Sequence, residues 1–384
     1  MSNKKGIEAR GNDLYLNDTI VGCNGGGGEE SVDYATVYGT VGTDHPGQCA
    51  TIREKFDSGN GKVLRFVHIS DSHGGDVGDY MGAAPEFTDK CEADFLVHTG
   101  DIVTDSYNDD FSTRTLAKLL TVDKPTFITL GNHDVFKSST LQQRFEKYIY
   151  PLNTHNGLAA NTKTYYSADY VDSGVKCIFL DYLDAADDSS AATAMPSQLV
   201  SGAMSDAQVN WFIAQLADAA DNNLHVAVFL HQAPSNIGYP QPNWYEKQTE
   251  PASSIAFLRE IVYAWQNKGR TSSLNGAYNV TYNGNTYSGT FAKRGHFVGW
   301  FCGHTHYDSC GRLDGFPDQF CVCITRPTFG TSANDGIVRP IGWYEYLFNY
   351  VKIESDKRRV SIIRVGSDLL SGGGSRGMFT YEYV

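Results

Sequence analysis

Pro125-Thr126-Phe127-Ile128-Thr129-Leu130-Gly131-Asn132-His133-Asp134 is the stretch whose reading decides the fold. Its first six residues, rich in β-branched and aromatic side chains, read as a short buried strand. Four special residues follow at the carboxyl end of that strand, where open α/β sheets place their ligands. Gly131 lets the backbone turn sharply, and Asn132 offers a neutral oxygen ligand. His133 brings the one side chain that exchanges a proton near neutral pH. Asp134 stands where it can hold that imidazole in one orientation. A Gly-Asn-His-Asp run is also what an ordinary surface turn looks like. The weight therefore rests on what the chain does at its other strand ends.

Four further strands end in the same way. Val63 to Ser70 is apolar apart from Arg65 and His68, and it runs into Asp71-Ser72-His73. In extended chain, side chains two apart share a face, so Asp71 and His73 can reach one metal ion. Phe95 to Thr99 ends at Gly100-Asp101, where Asp101 is a hard, charged oxygen ligand able to bridge two cations. His225 to Leu230 ends at His231, well placed as a ligand, whereas His225 sits at the wrong end of that strand. His296 to Cys302 ends at Gly303-His304-Thr305-His306. Alternate side chains on a strand lie roughly 7 Å apart, which lets His304 and His306 straddle two ions about 3.5–4 Å apart. His68 and His98 lie inside apolar runs and read as core histidines.

Together these turns supply Asp71, His73, Asp101, Asn132, His231, His304 and His306, an N/O ligand set with no thiolate. It suits first-row ions such as Mn, Fe or Zn without choosing among them. Five separate turns do not acquire this order by chance.

Composition narrows the function classes. The chain has 384 residues, 41% hydrophobic and 20% charged, enough for one large domain with additions. A net charge of −13 argues against a broad nucleic-acid surface, yet leaves a phosphorylated substrate open, because bound cations invert the local field. No run approaches the ~18 apolar residues of a membrane span, and the start, Met1 to Gly6, has no apolar segment of a secretory signal, so the expected location is cytoplasmic. Cys23 and Cys49 flank a loop and would pair only in an oxidising compartment.

Residues 1–60 read as an extension with a Gly-rich break at Gly25 to Gly28, and residues 61–384 as the catalytic domain. Within the latter, Ser205-Asp206-Ala207-Gln208 reads as a capping box opening a helix with Val209, Phe212, Ile213 and Leu216 on one stripe. A second helix spans about residues 253–267. Alternation around Asn283-Gly284 signals a β-hairpin insertion near residues 270–295.

In its order of motifs the chain resembles the calcineurin-like metallophosphoesterase superfamily. That signature runs D-x-H, G-D, G-N-H-[DE], a lone His and G-H-x-H, and it is matched here from Asp71 to His306, with Ser70 in place of Gly before Asp71. The resemblance implies an α/β sandwich of two mixed β-sheets flanked by helices. It implies one metal held by Asp71, His73, Asp101 and His306 and a second held by Asp101, Asn132, His231 and His304, with Asp101 bridging. His133 would then be catalytic, oriented by Asp134, and a metal-bridging hydroxide would attack a phosphomonoester or phosphodiester in line. Purple acid phosphatases carry Tyr three residues after the bridging Asp, where this chain has Thr104. The segment Ser205 to Leu216 is similar to an S-x-x-Q-x-x-W/F helix found in related subgroups.

The expected partner is a small phosphorylated substrate, and the sequence leaves the oligomeric state open. A nucleotide or cyclic-nucleotide phosphodiesterase is the second reading, for which Tyr107, Asn108 and Tyr182 stand near strand ends. A non-catalytic scaffold or attachment module with a retained metal site is a third, disfavoured by the completeness of the ligand set.

Overall fold

The computed structural model describes residues 8–10, 13–16, 19–23, 61–73, 84–103, 109–135, 139–158, 160–185, 204–234, 255–270, 273–305, 309–324, 348–365 and 378–384. The Gly25 to Gly28 break, Thr104, Tyr107, Asn108, His306 and the Cys23–Cys49 pairing all lie outside these residues or their described side chains. Three short antiparallel strands, β1 (Glu8–Arg10), β2 (Asp13–Leu16) and β3 (Thr19–Cys23), come first.

The first large sheet uses β4 (Val63–Ile69), β5 (Phe95–His98) and β6 (Thr126–Ile128), which run parallel. The second uses β7 (Tyr166–Tyr170), β8 (Val175–Phe179) and β9 (His225–Phe229). A separate antiparallel hairpin, β10 (Ala277–Tyr282) and β11 (Asn285–Thr290), turns at Asn283-Gly284, both with positive φ. The second sheet then resumes with β12 (Phe297–Cys302), β13 (Ser309–Leu313) and β14 (Phe316–Cys323). The chain returns to the first sheet through β15 (Phe348–Glu354), β16 (Arg359–Val365) and β17 (Met378–Glu382).

The strand orders are β17-β16-β15-β4-β5-β6 and β13-β14-β12-β9-β8-β7, each mixing parallel and antiparallel pairs. This is the expected pair of mixed sheets flanked by helices. Such near-continuous apolar strands require cover on both faces. One face of each sheet packs against the other sheet. Phe66 on β4 stacks on Phe95 at 4.8 Å and meets Phe229 and Phe301 of the second sheet edge-on at 5.3 and 5.2 Å. Phe127 on β6 stacks on Phe179 on β8 at 4.6 Å.

The outer face of the second sheet is covered by helices Asp206–Asp221 and Phe257–Gln266, whose Val209, Phe212, Leu216, Leu258, Val262 and Trp265 are buried. The hairpin leans on the second of these, with Tyr282 stacked on Phe257 at 4.4 Å.

One local expectation changes. The capping box closes on one side only: Ser205 Oγ accepts from the Gln208 N–H at 3.2 Å, but the Gln208 side chain leaves the helix for the backbone of Asp181. The helix that begins at Leu141 continues through a π turn, Phe145–Ile149, to His155.

At the far end of the second sheet, His225 Nδ1 and the Tyr383 hydroxyl share a 2.6 Å hydrogen bond, with His296 4.6 Å away ring to ring. Burial, then the neighbouring His296, pull His225 from 6.5 down to about 3. Below pH 6.5 the unfolded chain takes up a proton that the fold refuses, so stability falls as pH drops from 6.5 towards about 3. Thermal unfolding followed over that range is expected to show the loss, and His225→Gln to flatten it. Phe66→Ala, which empties the contact between sheets, is expected to cost about 3–5 kcal/mol in chemical denaturation.

Candidate metal centre

The parallel strands of the two sheets deliver their carboxyl ends to one place. Asp71 and His73 follow β4, Asp101 follows β5, and Asn132 opens the short turn Asn132–Asp134 beyond β6. His231 follows β9 and His304 follows β12. All of these side chains are buried, and His133 is half-buried.

Asp101 stands at the centre. Its Oδ2 lies 3.2 Å from His231 Nε2 and 3.8 Å from His73 Nε2. His73 Nε2 is 3.9 Å from Asp71 Oδ1, and His231 Nε2 is 3.2 Å from His304 Nδ1. Potential ligand atoms of His73, Asp101 and His133 gather within 4.8 Å of one another, as do those of Asp101, His231 and His304, so Asp101 belongs to both groups. Buried carboxylate and imidazole donors without thiolate fit hard or borderline divalent ions. His231 supports that fit: its Nδ1–H donates to the Thr99 carbonyl at 2.7 Å, which turns Nε2 inward, the tautomer a metal-ligating histidine needs.

The convergence is not the strand alternation that the spacing suggested. β4 ends at Ile69, and Asp71 and His73 have φ of 53° and 44°; Asp101 and His304 have φ of 54° and 66°. These side chains meet because the backbone turns left-handed just past each strand. Asp and His tolerate that region better than most residues.

Hydrogen bonds hold the turns to one another. Asp71 N–H donates to the Gly100 carbonyl at 2.9 Å and His73 N–H to the Asp101 carbonyl at 3.0 Å. His304 N–H donates to the Asp71 carboxylate at 2.9 Å, and His133 N–H donates to Asp101 Oδ1 at 2.8 Å. The two glycines that precede His304 and Asn132 are required by close approach. A Cβ on Gly303 would stand 1.8 Å from Ser70 Oγ and 2.3 Å from Asp71 Oδ2, and one on Gly131 would stand 2.2 Å from Asp101 Oδ1.

Asp134 has work beyond any it does for His133. Its Oδ2 accepts from the N–H groups of Asp101 (2.8 Å) and Gly131 (2.9 Å), and its Oδ1 from Ile102 (2.9 Å). The carboxylate therefore clamps the turn that carries Asp101 to the turn that carries Asn132. His98, read as a core histidine, is buried and supports the same turns. Its Nδ1 accepts from the Gly100 N–H at 3.2 Å, so its Nε2–H faces Ser72 Oγ at 2.9 Å, and Ser72 in turn donates to the Ile102 carbonyl at 3.1 Å.

The electrostatics follow from crowding. Burial opposes charge on Asp101, yet His231, His133 and His73 outweigh it and hold the carboxyl well below its usual range. Burial would lower His231, but Asp101 and Asp71 lift it to about 9. Burial, then the neighbouring Asp101 charge, raise Asp134 to about 7.

One neighbour of the site escaped the reading of motifs. Tyr182, noted only as a residue near a strand end, is fully buried between two of the gathered residues. It follows β8, which is parallel to β9, so the strand pattern alone placed it on the same rim.

A family model for the calcineurin-like phosphoesterases matches residues 64–308. No curated protein matches the chain by sequence. Among solved structures it is similar to a dimetal phosphatase from Danio rerio at 12% identity and a TM-score of 0.50, covering 84% of this chain and 99% of that one. It is also similar to purple acid phosphatase PPD1 from yellow lupin (Lupinus luteus) seeds, at 13% identity and a TM-score of 0.47, covering 84% of this chain but only 54% of that one. At such identities the first likeness is one of fold, and the second adds nothing to it.

Asp134→Asn replaces one accepting oxygen by a donor aimed at backbone N–H groups. It is expected to destabilise the protein by about 1–3 kcal/mol in urea denaturation, whereas an Asp134 that served only His133 would leave the midpoint unchanged.

Proposed function

The chain belongs to the calcineurin-like phosphoesterase family, a family of metal-dependent phosphoric ester hydrolases, and from that premise we propose that it cleaves a small phosphomonoester or phosphodiester at the centre around Asp101. The observation that carries the reading is the meeting of Asp71, His73, Asp101, Asn132, His231 and His304 at one buried rim with His133 half-exposed beside them. In this reading Asp71, His73, Asp101 and His306 hold one ion, and Asp101, Asn132, His231 and His304 the other. Two bound cations supply a nucleophilic oxygen at neutral pH and neutralise phosphoryl charge.

The chain's own residues do the rest. His133 is tied to the centre through its N–H on Asp101 Oδ1, and its ring stands edge-on to His73 at 4.9 Å. It is half-exposed at the edge of the centre, and in this reading its role is to protonate the leaving oxygen. A general acid in that position contributes typically ~10²–10⁴-fold. Asp134 and His98 keep the turns in place.

The nucleotide reading loses one support, since Tyr182 is buried against His231 and offers no open face to a base. Among the described residues no helix is long and apolar enough to cross a membrane. The cytoplasmic expectation meets an argument on the other side: Cys91 is disulfide-bonded, a state that oxidising compartments favour.

Hydrolysis of bis-p-nitrophenyl phosphate and p-nitrophenyl phosphate, each with added Mn²⁺ and with chelator, tests the proposal. Metal-dependent cleavage of either ester is expected, and the preferred ester sorts phosphodiesterase from phosphatase. Asp101→Asn is expected to lose both metal and rate. His133→Ala is expected to lose about 10²-fold or more in rate while keeping its metal, and full activity in that variant would remove His133 from the reaction.

A further inference from the structure

The gathered residues are held by more than their own turns, and one supporting path begins on the helix that follows Ser205. The Gln208 side chain, released from the capping box, treats the end of β8 as a strand partner. Its Oε1 accepts from the Asp181 N–H at 2.9 Å, and its Nε2 donates to the Asp181 carbonyl at 2.7 Å. On the other side of Tyr182, the Leu183 N–H donates to Asp181 Oδ1 at 3.0 Å. The backbone that carries Tyr182 is thus fixed on both flanks.

Tyr182 is fully buried, and both of its functional parts are used. Its ring lies over His231, centroid to centroid 5.9 Å with 30° between planes. Its hydroxyl donates to Asn132 Oδ1 at 3.3 Å. An asparagine amide turns easily between presenting its oxygen and presenting its NH₂, and only the oxygen can bind a cation. Here the hydroxyl donates, which holds the amide oxygen, an acceptor with two lone pairs, on the Tyr182 side. The ring meanwhile limits the tilt of an imidazole whose Nδ1–H is already committed to Thr99.

We propose that Tyr182, held in place by Gln208, is the positioning residue of the metal site formed by Asp101, Asn132, His231 and His304, fixing the Asn132 amide with its hydroxyl and the His231 ring with its face. The proposal rests on the reading of those four residues as metal ligands. It gives the Ser205-x-x-Gln208 segment a physical role, that of bolting the start of a helix to the strand end behind the centre. A tyrosine that only packs would need some partner for its hydroxyl as well. The difference lies in what its removal does to one ion and not the other.

The test is Mn²⁺ titration of the metal-stripped full chain by calorimetry, for the wild type, Tyr182→Phe and Gln208→Ala. Outer partners of metal ligands typically contribute 10–100-fold in affinity. The wild type is expected to take up two equivalents. Tyr182→Phe, which keeps the ring, is expected to bind one at wild-type strength and the other about 10–100-fold more weakly, with kcat recovered at excess Mn²⁺ and KM for substrate unchanged. Gln208→Ala is expected to weaken the same equivalent. Chemical denaturation of the stripped proteins controls for folding, and Tyr182→Phe is expected to match the wild type there. Two equivalents bound at wild-type strength by both variants would overturn the proposal. So would an Fe³⁺-loaded wild type with a phenolate charge-transfer absorption that Tyr182→Phe lacks, because Tyr182 would then be a ligand. A wild type that takes up no Mn²⁺ would instead remove the metal reading beneath it.

Discussion

Everything at this centre depends on a backbone constraint: four of the gathered residues, Asp71, His73, Asp101 and His304, sit in left-handed turns. Each such residue costs of order 1–3 kcal/mol, and none of the four is glycine. The cost is met because the turns close on one another. Asp71 is held by the turn after β5 and itself holds the turn after β12, while His73 is held by Asp101. A strand end cannot do this alone, since it leaves its last amides pointing outward. The left-handed step rotates the side chain into the gap between the sheets and turns the amide onto a neighbouring loop.

The same logic explains why so much of the polar chemistry is spent on backbone rather than on side chains. Asp134 accepts three amides, and Gln208 pairs with both polar groups of one residue. Buried amides left unpaired are expensive, and turns past the ends of strands produce them in number. A carboxylate or a carboxamide is the compact group that satisfies two or three at once. Its use here welds turns from different strands into one body, which fixes ligand positions more tightly than any single loop would allow.

Much of this was legible in the sequence because the strands are short, apolar and abruptly ended. Phe127-Ile128, Val226 to Leu230 and Phe297 to Cys302 could only be buried strands, and the polar residues after them could only lie on the ligand rim. The order of motifs from Asp71 to His306 carried the family resemblance, and it was the resemblance that implied the two mixed sheets found here. What did not follow was the local geometry. Spacing i, i+2 suggested extended chain at Asp71 and His73, and only backbone angles reveal the left-handed turn. Adjacency suggested that Asp134 serves His133, and it could not show that the same carboxylate accepts from the amides of Asp101 and Ile102, about thirty residues away in sequence. Gln208 fitted the capping-box pattern, but a long-range partner outcompeted the local one. In each case the deciding contact is remote in sequence and short in space.

Charge completes the argument for why these residues are together at all. Two carboxylates, Asp71 and Asp101, and the imidazoles of His73, His231 and His304 lie buried within a few ångströms. The carboxylates of Asp101 and Asp71 accordingly lift His231 to about 9 against its own burial. Replacing buried polar groups of this kind by apolar ones often makes a protein no less stable, so stability does not account for them. Four left-handed turns and a clamped carboxylate hold these N and O atoms together, an arrangement that supports the proposed cation site. The half-exposed His133 stands at its edge, where the proposal places the substrate.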